Sequence, residues 1–135
     1  MRSDSLLRQA LVGIVVAAVG VAIVWLIADA ASGPLMANGP DGELAEVPLG
    51  GAVFAVVIGG LVGTGIAFLL RRLGRGAPVF LGVCVVGLVL YGIWAFSQAE
   101  NTATGVWLNV MHIVAAVPIV GLLTQWLQTR VTTTS

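Results

Sequence analysis

Charge is the scarcest property of this sequence. Charged residues make up 9% of its 135 positions, whereas a soluble domain usually carries about 25%. Lysine is absent, and apolar residues make up 59% of the chain, with a mean hydropathy of +1.06. Because so few charges cannot cover a water-facing surface, the composition excludes an ordinary soluble domain. It predicts one membrane domain over residues 1–135.

Residues that carry chemistry are also scarce. Cys84 is the only cysteine, so it cannot form an intrachain disulfide, and we interpret it as a small apolar packing residue. The apolar segments contain no carboxylate, no nucleophile–base pair, no metal-ligand spacing and no phosphate-binding loop. The sequence therefore predicts no catalytic residues and no metal site, and nothing in it indicates nucleic-acid binding.

Long uncharged runs divide the chain into four parts, which are residues 9–28, 47–70, 76–99 and 101–129. A helix needs roughly 20 apolar residues to cross the hydrocarbon core. Each run is long enough for one crossing and too short for two. We therefore expect an all-α transmembrane four-helix bundle in a lipid bilayer, with a polar loop at 31–49. The predicted spans are about 9–30, 50–70, 77–98 and 105–127.

The few charges are distributed asymmetrically along these spans. The N-terminus, the loop at 71–76 and the C-terminus hold all six arginines, whereas the other two loops hold four of the six acids. Positive charge is enriched in the cytoplasmic loops of membrane proteins. Both termini are therefore predicted to be cytoplasmic, with the 31–49 loop and its turn dipeptides, Asn38-Gly39 and Asp41-Gly42, on the outer side.

Small residues recur at helical spacing in the first two spans. Helices in lipid associate where small residues allow their backbones to approach closely, so these stripes predict helix-packing faces. The contacts could lie within one chain or between chains, which leaves self-association or a larger membrane-protein partner open. The residues concerned are Ala10, Gly13, Ala17 and Gly20 in span 1, and Ala55, Gly59, Gly63 and Ala67 in span 2.

The only histidine, His112, lies in the fourth span within WLNVMHIVAAVP, residues 107–118. Helical spacing places Asn109 on the same face, and polar groups in spans usually point into the bundle. Counting outward from the short loop between spans 3 and 4 places Tyr91 level with His112, and Trp94 level with Asn109. We hypothesise that Tyr91 and His112 meet across this hairpin and form a polar cluster in the outer half of the bundle.

Two interpretations of this cluster remain open. It could be structural, because interhelical hydrogen bonds fix the register of packed helices. It could also be a functional site. The alternatives are a proton relay, a polar anchor in a small-ligand pocket, and a haem axial ligand at His112. Pro118, inside the same span, predicts a kink because it releases the Val114 carbonyl. That kink could open a cavity or simply bend the helix.

The run WLNVMHIVAAVPIVGLL, with its Met111–His112 pair, resembles the last span of a family of small bacterial four-span membrane proteins of unknown function. The arginine-bearing N-terminus, the segment VPLGGAV and the short arginine loop are similar in layout. The resemblance implies the same fold and a location in the bacterial cytoplasmic membrane, but it implies no activity.

A non-enzymatic polytopic membrane protein follows from these observations. It would be an accessory subunit or a small-ligand-binding bundle, and we expect no resident cofactor. One alternative is a haem or quinone redox subunit that uses His112. A second alternative is a small oligomeric pore.

Overall fold

A computed structural model describes the backbone of residues 2–131 and the side chains of residues 5–129. The elements are α1 (Arg2–Ser32), β1 (Met36–Asn38), β2 (Leu44–Glu46), α2 (Leu49–Leu70), α3 (Gly76–Gln98) and α4 (Thr102–Val131). All four helices are long and apolar enough to cross a membrane, and they pack together as a bundle. The predicted all-α transmembrane four-helix bundle is confirmed.

Local sequence accounts for the ends of α1 and α4. Gly33 follows α1 with a φ of +76°, a conformation that favours glycine, and its N–H donates to the Asp29 carbonyl. At the start of α4, the Asn101 side chain accepts a 2.9 Å hydrogen bond from the Thr104 N–H. Such a cap satisfies one of the donors that the first turn of a helix leaves unpaired.

Helix α4 is the centre of the bundle, because α1 packs along one side of it and α3 along another. The small residues of α1 lie in the first of these contacts. A Cβ atom on Gly13 would lie 3.2 Å from the Ile119 Cα, and one on Gly20 would lie 2.8 Å from a Val114 methyl group. Ala17, between them, is buried. The predicted stripe of span 1 is therefore an intrachain packing face.

Helix α2 packs through a face that includes only the later part of the predicted stripe. Val56, Gly60 and Ala67 are buried, and a Cβ atom on Gly60 would overlap the Ile14 side chain of α1. Ala55 and Gly59 are exposed instead. The sequence left open whether the stripe packs within one chain or between chains, and these two residues lie outside the intrachain contact. Residues spaced four apart drift by about 40° per step around a helix, so a long stripe at that spacing leaves the contact face.

The first loop folds into a β-hairpin that covers one end of the bundle. Strand β1 pairs with β2 in antiparallel register, from Met36 opposite Glu46, and Gly42 takes a φ of +78° in the turn. Leu35 is buried beneath the hairpin, and the Glu100 N–H donates to the Met36 carbonyl. The hairpin therefore ties the α1–α2 loop to the α3–α4 connection. We call this end of the molecule the hairpin end.

The opposite end, which holds the N-terminus of α1 and the arginines of the α2–α3 turn, is the arginine end. Helix α4 runs between the two ends without interruption, with Pro118 inside it. The Pro118 carbonyl lies 3.5 Å from where a Cβ atom on Gly13 would be. The backbones of α1 and α4 therefore approach closely at this proline. They can do so because Gly13 has no side chain.

Candidate functional site on the flank of helices α3 and α4

Two glycines allow α3 and α4 to approach closely near the hairpin end. A Cβ atom on Gly105 would lie 2.6 Å from the Phe96 ring, and one on Gly92 would overlap the Asn109 amide oxygen. Gly92 and Ala95 form the buried face of α3 at this level. Neither position has room for a larger side chain, so the separation of the two helices is fixed here.

Asn109 joins the two helices. Its Nδ2 atom donates to the Gly92 carbonyl at 3.2 Å and to the Gly105 carbonyl at 2.9 Å. The first of these bonds crosses from α4 to α3, and the second lies within α4. An amide that bonds to both helices fixes their register, which is the structural role considered for the polar cluster.

Tyr91 and His112 meet across the hairpin through their rings. The ring centroids are 4.4 Å apart, with an angle of 54° between the ring planes. The Trp94 ring lies 5.3 Å from the Tyr91 ring at an angle of 49°. Trp94 therefore packs against Tyr91, although sequence counting placed it level with Asn109. We call Tyr91, Trp94 and His112 the aromatic flank.

The hydrogen bond of His112 determines which ring nitrogen carries the proton. Nδ1 lies 2.5 Å from the Leu108 carbonyl oxygen. A carbonyl oxygen can only accept, so Nδ1 donates and carries the proton. In the neutral imidazole, Nε2 is then a hydrogen-bond acceptor or a metal ligand. The bond to Leu108 lies within α4, so it does not connect α4 to another helix.

Tyr91 and Trp94 of the aromatic flank lie on the outside of the bundle, and the sequence predicted an inward position only for His112 and Asn109. Tyr91 is 44% exposed and Trp94 is 54% exposed, while His112 and Asn109 are half-buried. The reason is the position of the contact face. Helix α3 contacts α4 through Gly92, and neighbouring residues on a helix are about 100° apart, so Tyr91 is turned to the side. In a membrane this flank faces lipid.

A family model described as a family of unknown function, DUF6069, matches residues 1–129 of the chain. The chain belongs to DUF6069. No curated protein and no solved structure matches it. Membership of a family of unknown function agrees with a small four-helix membrane protein and assigns no activity to it.

The two side chains of the Met-His pair of this DUF6069 chain lie in different environments. Met111 is buried in the core, with 4% of its surface exposed, whereas His112 contacts the half-exposed Tyr91. Consecutive helical residues point about 100° apart, so one side chain packs in the bundle while the next reaches its flank. The pair thus marks the boundary between the core and the lipid-facing surface of α4.

The tryptophans near the hairpin end also make contacts that the sequence did not predict. Trp25 donates through Nε1 to the Val47 carbonyl at 2.9 Å, and Trp107 donates to the Ser32 hydroxyl at 2.9 Å. The first bond ties α1 to the segment before α2, and the second ties α4 to the last residue of α1. Sequence position alone does not reveal the bond of Trp25, because it depends on how the segment before α2 folds.

Sequence reasoning missed a second polar group at the arginine end. Gln9 of α1 has a buried Oε1 atom, and Thr124 of α4 has a buried Oγ1 atom, each without a hydrogen-bond partner. The signal available was one glutamine at the first position of the first uncharged run. It could not be interpreted without knowing which helix faces α1.

Proposed function

We propose that this DUF6069 protein is a non-enzymatic multi-pass protein of the bacterial cytoplasmic membrane, with both termini cytoplasmic. We further propose that its aromatic flank binds a small amphiphile that enters sideways from the lipid. The expected ligand class is an aromatic molecule with a hydroxyl group and an apolar tail, such as a phenol or a quinol. The arginines support this orientation, because all six lie on the same side of the four spans.

The observation that carries the ligand proposal is the hydrogen bonding of His112. Its Nδ1 proton is used by Leu108 in the same helix, which leaves Nε2 as an acceptor beside an exposed tyrosine ring. A hydroxyl group is the matching donor. In the lipid phase, where water does not compete, such a donor gains a bond that it otherwise lacks.

A purely structural role accounts for Asn109 better than for His112. Asn109 makes the hydrogen bond between α3 and α4. The polar bond of His112 stays within α4, and its contact with α3 is through rings. Leucine or phenylalanine would fill that ring contact without bringing a polar group into the membrane. The imidazole is therefore better explained by a polar partner from outside the chain.

Binding of 4-octylphenol to purified protein in detergent tests this proposal. The matched control ligand is 4-octylanisole, which has the same ring and tail but lacks the hydroxyl proton. We expect the phenol to bind and the anisole to bind much more weakly. The variant His112→Leu should lose this discrimination, whereas Thr64→Val should retain it, because Thr64 bonds only to the Gly60 carbonyl of its own helix. Equal binding of both ligands contradicts the proposal.

The orientation of His112 also favours a second candidate function, a haem-binding subunit. Metal-ligating histidines usually donate their other ring N–H to a carbonyl or carboxylate, as Nδ1 of His112 does with Leu108. A chain with one histidine supplies one such axial ligand, so ligation by two histidines needs a second copy. The test is an absorption spectrum of protein purified from its native membrane. A Soret band that His112→Leu abolishes supports haem, and its absence in both oxidation states excludes it.

A further inference from the structure

A cavity lies at the arginine end, between α1 and α4. Its volume is about 410 Å³, and it is open on one side. Helix α1 supplies most of its lining, with Ser5, Arg8, Gln9 and Val12, and α4 supplies Leu122. The cavity adjoins Gly13, the residue after Val12, at which α1 and α4 approach closely.

The lining divides into a polar part and an apolar part along α1. Arg8, Ser5 and Gln9 lie within one turn of each other, and Val12 lies one turn deeper, opposite Leu122. A guanidinium group presents a planar set of donors that matches two oxygens of a phosphate. The adjacent Gln9 amide can add a further hydrogen bond. Below them, the two aliphatic side chains match a hydrocarbon chain.

The Gln9 amide, in the polar part of the lining, lacks one hydrogen bond within the chain. Its Oε1 atom is buried and has no hydrogen-bond partner. Buried polar atoms in proteins nearly always have one, so the amide gains a bond if it turns towards a donor in the cavity. A phosphate has no such donor, but a headgroup hydroxyl does. The arginine alone fits any ligand that carries a phosphate. The amide restricts the expected ligands to those that carry both a phosphate and a hydroxyl group.

From this arrangement we infer that the cavity is a binding site for an anionic phospholipid whose headgroup carries hydroxyl groups, as phosphatidylglycerol does. Arg8 binds the phosphate, the Gln9 amide accepts from a headgroup hydroxyl, and the first part of an acyl chain lies on Val12 and Leu122. The site is independent of the aromatic flank, which lies on α3 and α4 near the opposite end. Either site can exist without the other.

Native mass spectrometry of the full chain tests the inference, after incubation with equal amounts of phosphatidylglycerol and phosphatidylcholine in detergent. We expect selective retention of phosphatidylglycerol. Arg8→Gln should weaken retention roughly tenfold, the factor for one lost charge-assisted hydrogen bond. The matched control is Arg72→Gln, which removes the same charge from an exposed position in the α2–α3 turn of the same end and should change nothing.

A further variant distinguishes binding in this cavity from a general attraction of anionic lipid to positive charge. Val12→Trp fills the cavity from its apolar side and keeps Arg8, so it should abolish retention even if Arg8→Gln fails to fold. Three results would overturn the inference, namely equal effects of Arg8→Gln and Arg72→Gln, equal retention of both lipids, and displacement of the lipid by inorganic phosphate.

Discussion

Replacing Gly60 and Gly59 by leucine, one at a time, tests how α2 packs against α1. The two positions are adjacent in one helix, so both substitutions change helix propensity and hydrophobicity alike. Their surroundings differ. A Cβ atom on Gly60 would overlap the Ile14 side chain and lie 3.4 Å from an Ile119 methyl group, whereas one on Gly59 would meet nothing within 4 Å. Gly60→Leu therefore forces the helices apart, and Gly59→Leu adds a side chain that faces lipid.

The expected magnitude follows from the crowding. Inserting carbon atoms into a well-packed core costs typically about 1–3 kcal/mol, and Gly60→Leu inserts a whole isobutyl group beside two isoleucines. Gly59→Leu should leave the free energy of unfolding within about 0.5 kcal/mol of the wild type, as expected for an exposed position. Reversible unfolding in mixed micelles, with an increasing fraction of dodecyl sulfate and detection by far-UV circular dichroism, measures both values.

A third variant identifies the source of the strain. Ile14→Ala in the Gly60→Leu background removes the side chain that the new leucine would meet, so it should restore part of the lost stability. Residues in contact typically show coupling energies of about 0.5–3 kcal/mol in such a cycle. Equal stability of Gly60→Leu and Gly59→Leu would refute the packing of α2 through Gly60. A larger loss for Gly59→Leu would mean that the exposed stripe is a contact between copies.

Three further outcomes are expected. Asn109→Leu should destabilise the bundle by about 0.6–1.7 kcal/mol in the same unfolding assay, because it removes the hydrogen bond between α4 and the Gly92 carbonyl; no change would show that this bond contributes nothing. Trp107→Phe should cost about 0.5–1.5 kcal/mol through the lost bond to Ser32, and an unchanged free energy of unfolding would contradict this. In a cysteine-free background, a single cysteine at position 38 should react with an impermeant maleimide in intact cells, and one at position 73 only after permeabilisation; the reverse pattern would invert the proposed orientation.

The number of helices and their approximate extents could be predicted because they depend on one physical constraint. Every backbone polar group inside a bilayer must be satisfied within the chain, so each long uncharged run becomes a helix. The β-hairpin was not predicted, although its turn dipeptides were identified. Its strands have three residues each, which is too short for an alternating pattern to indicate a strand.

Packing faces were predictable only where the residue spacing stays on one side of a helix. In α1, Gly13, Ala17 and Gly20 alternate between spacings of four and three, which follows the helical period, and they face α4. In α2, a constant spacing of four does not follow it. A correct choice between Gly59 and Gly60 needs the position of the neighbouring helix, which the sequence of α2 alone does not contain.

The candidate site was also predictable only in part. Counting residues from the α3–α4 turn placed Tyr91 level with His112, because antiparallel helices joined by a short turn keep equal depths on both sides. The exposure of Tyr91 on the outside of the bundle was not predicted. It depends on Gly92 forming the contact with α4, and the sequence contains several glycines in α3 with no indication of which one does so.

The measurement that tests the central proposal most directly is the ¹⁵N NMR spectrum of the imidazole in histidine-labelled protein. The chain has one histidine, so both ring nitrogen signals belong to His112. The proposal predicts a protonated Nδ1 and an unprotonated Nε2, with the Nε2 signal shifting when 4-octylphenol is added and not when 4-octylanisole is added. A protonated Nε2, or an Nε2 signal that neither compound or both compounds shift equally, would contradict it.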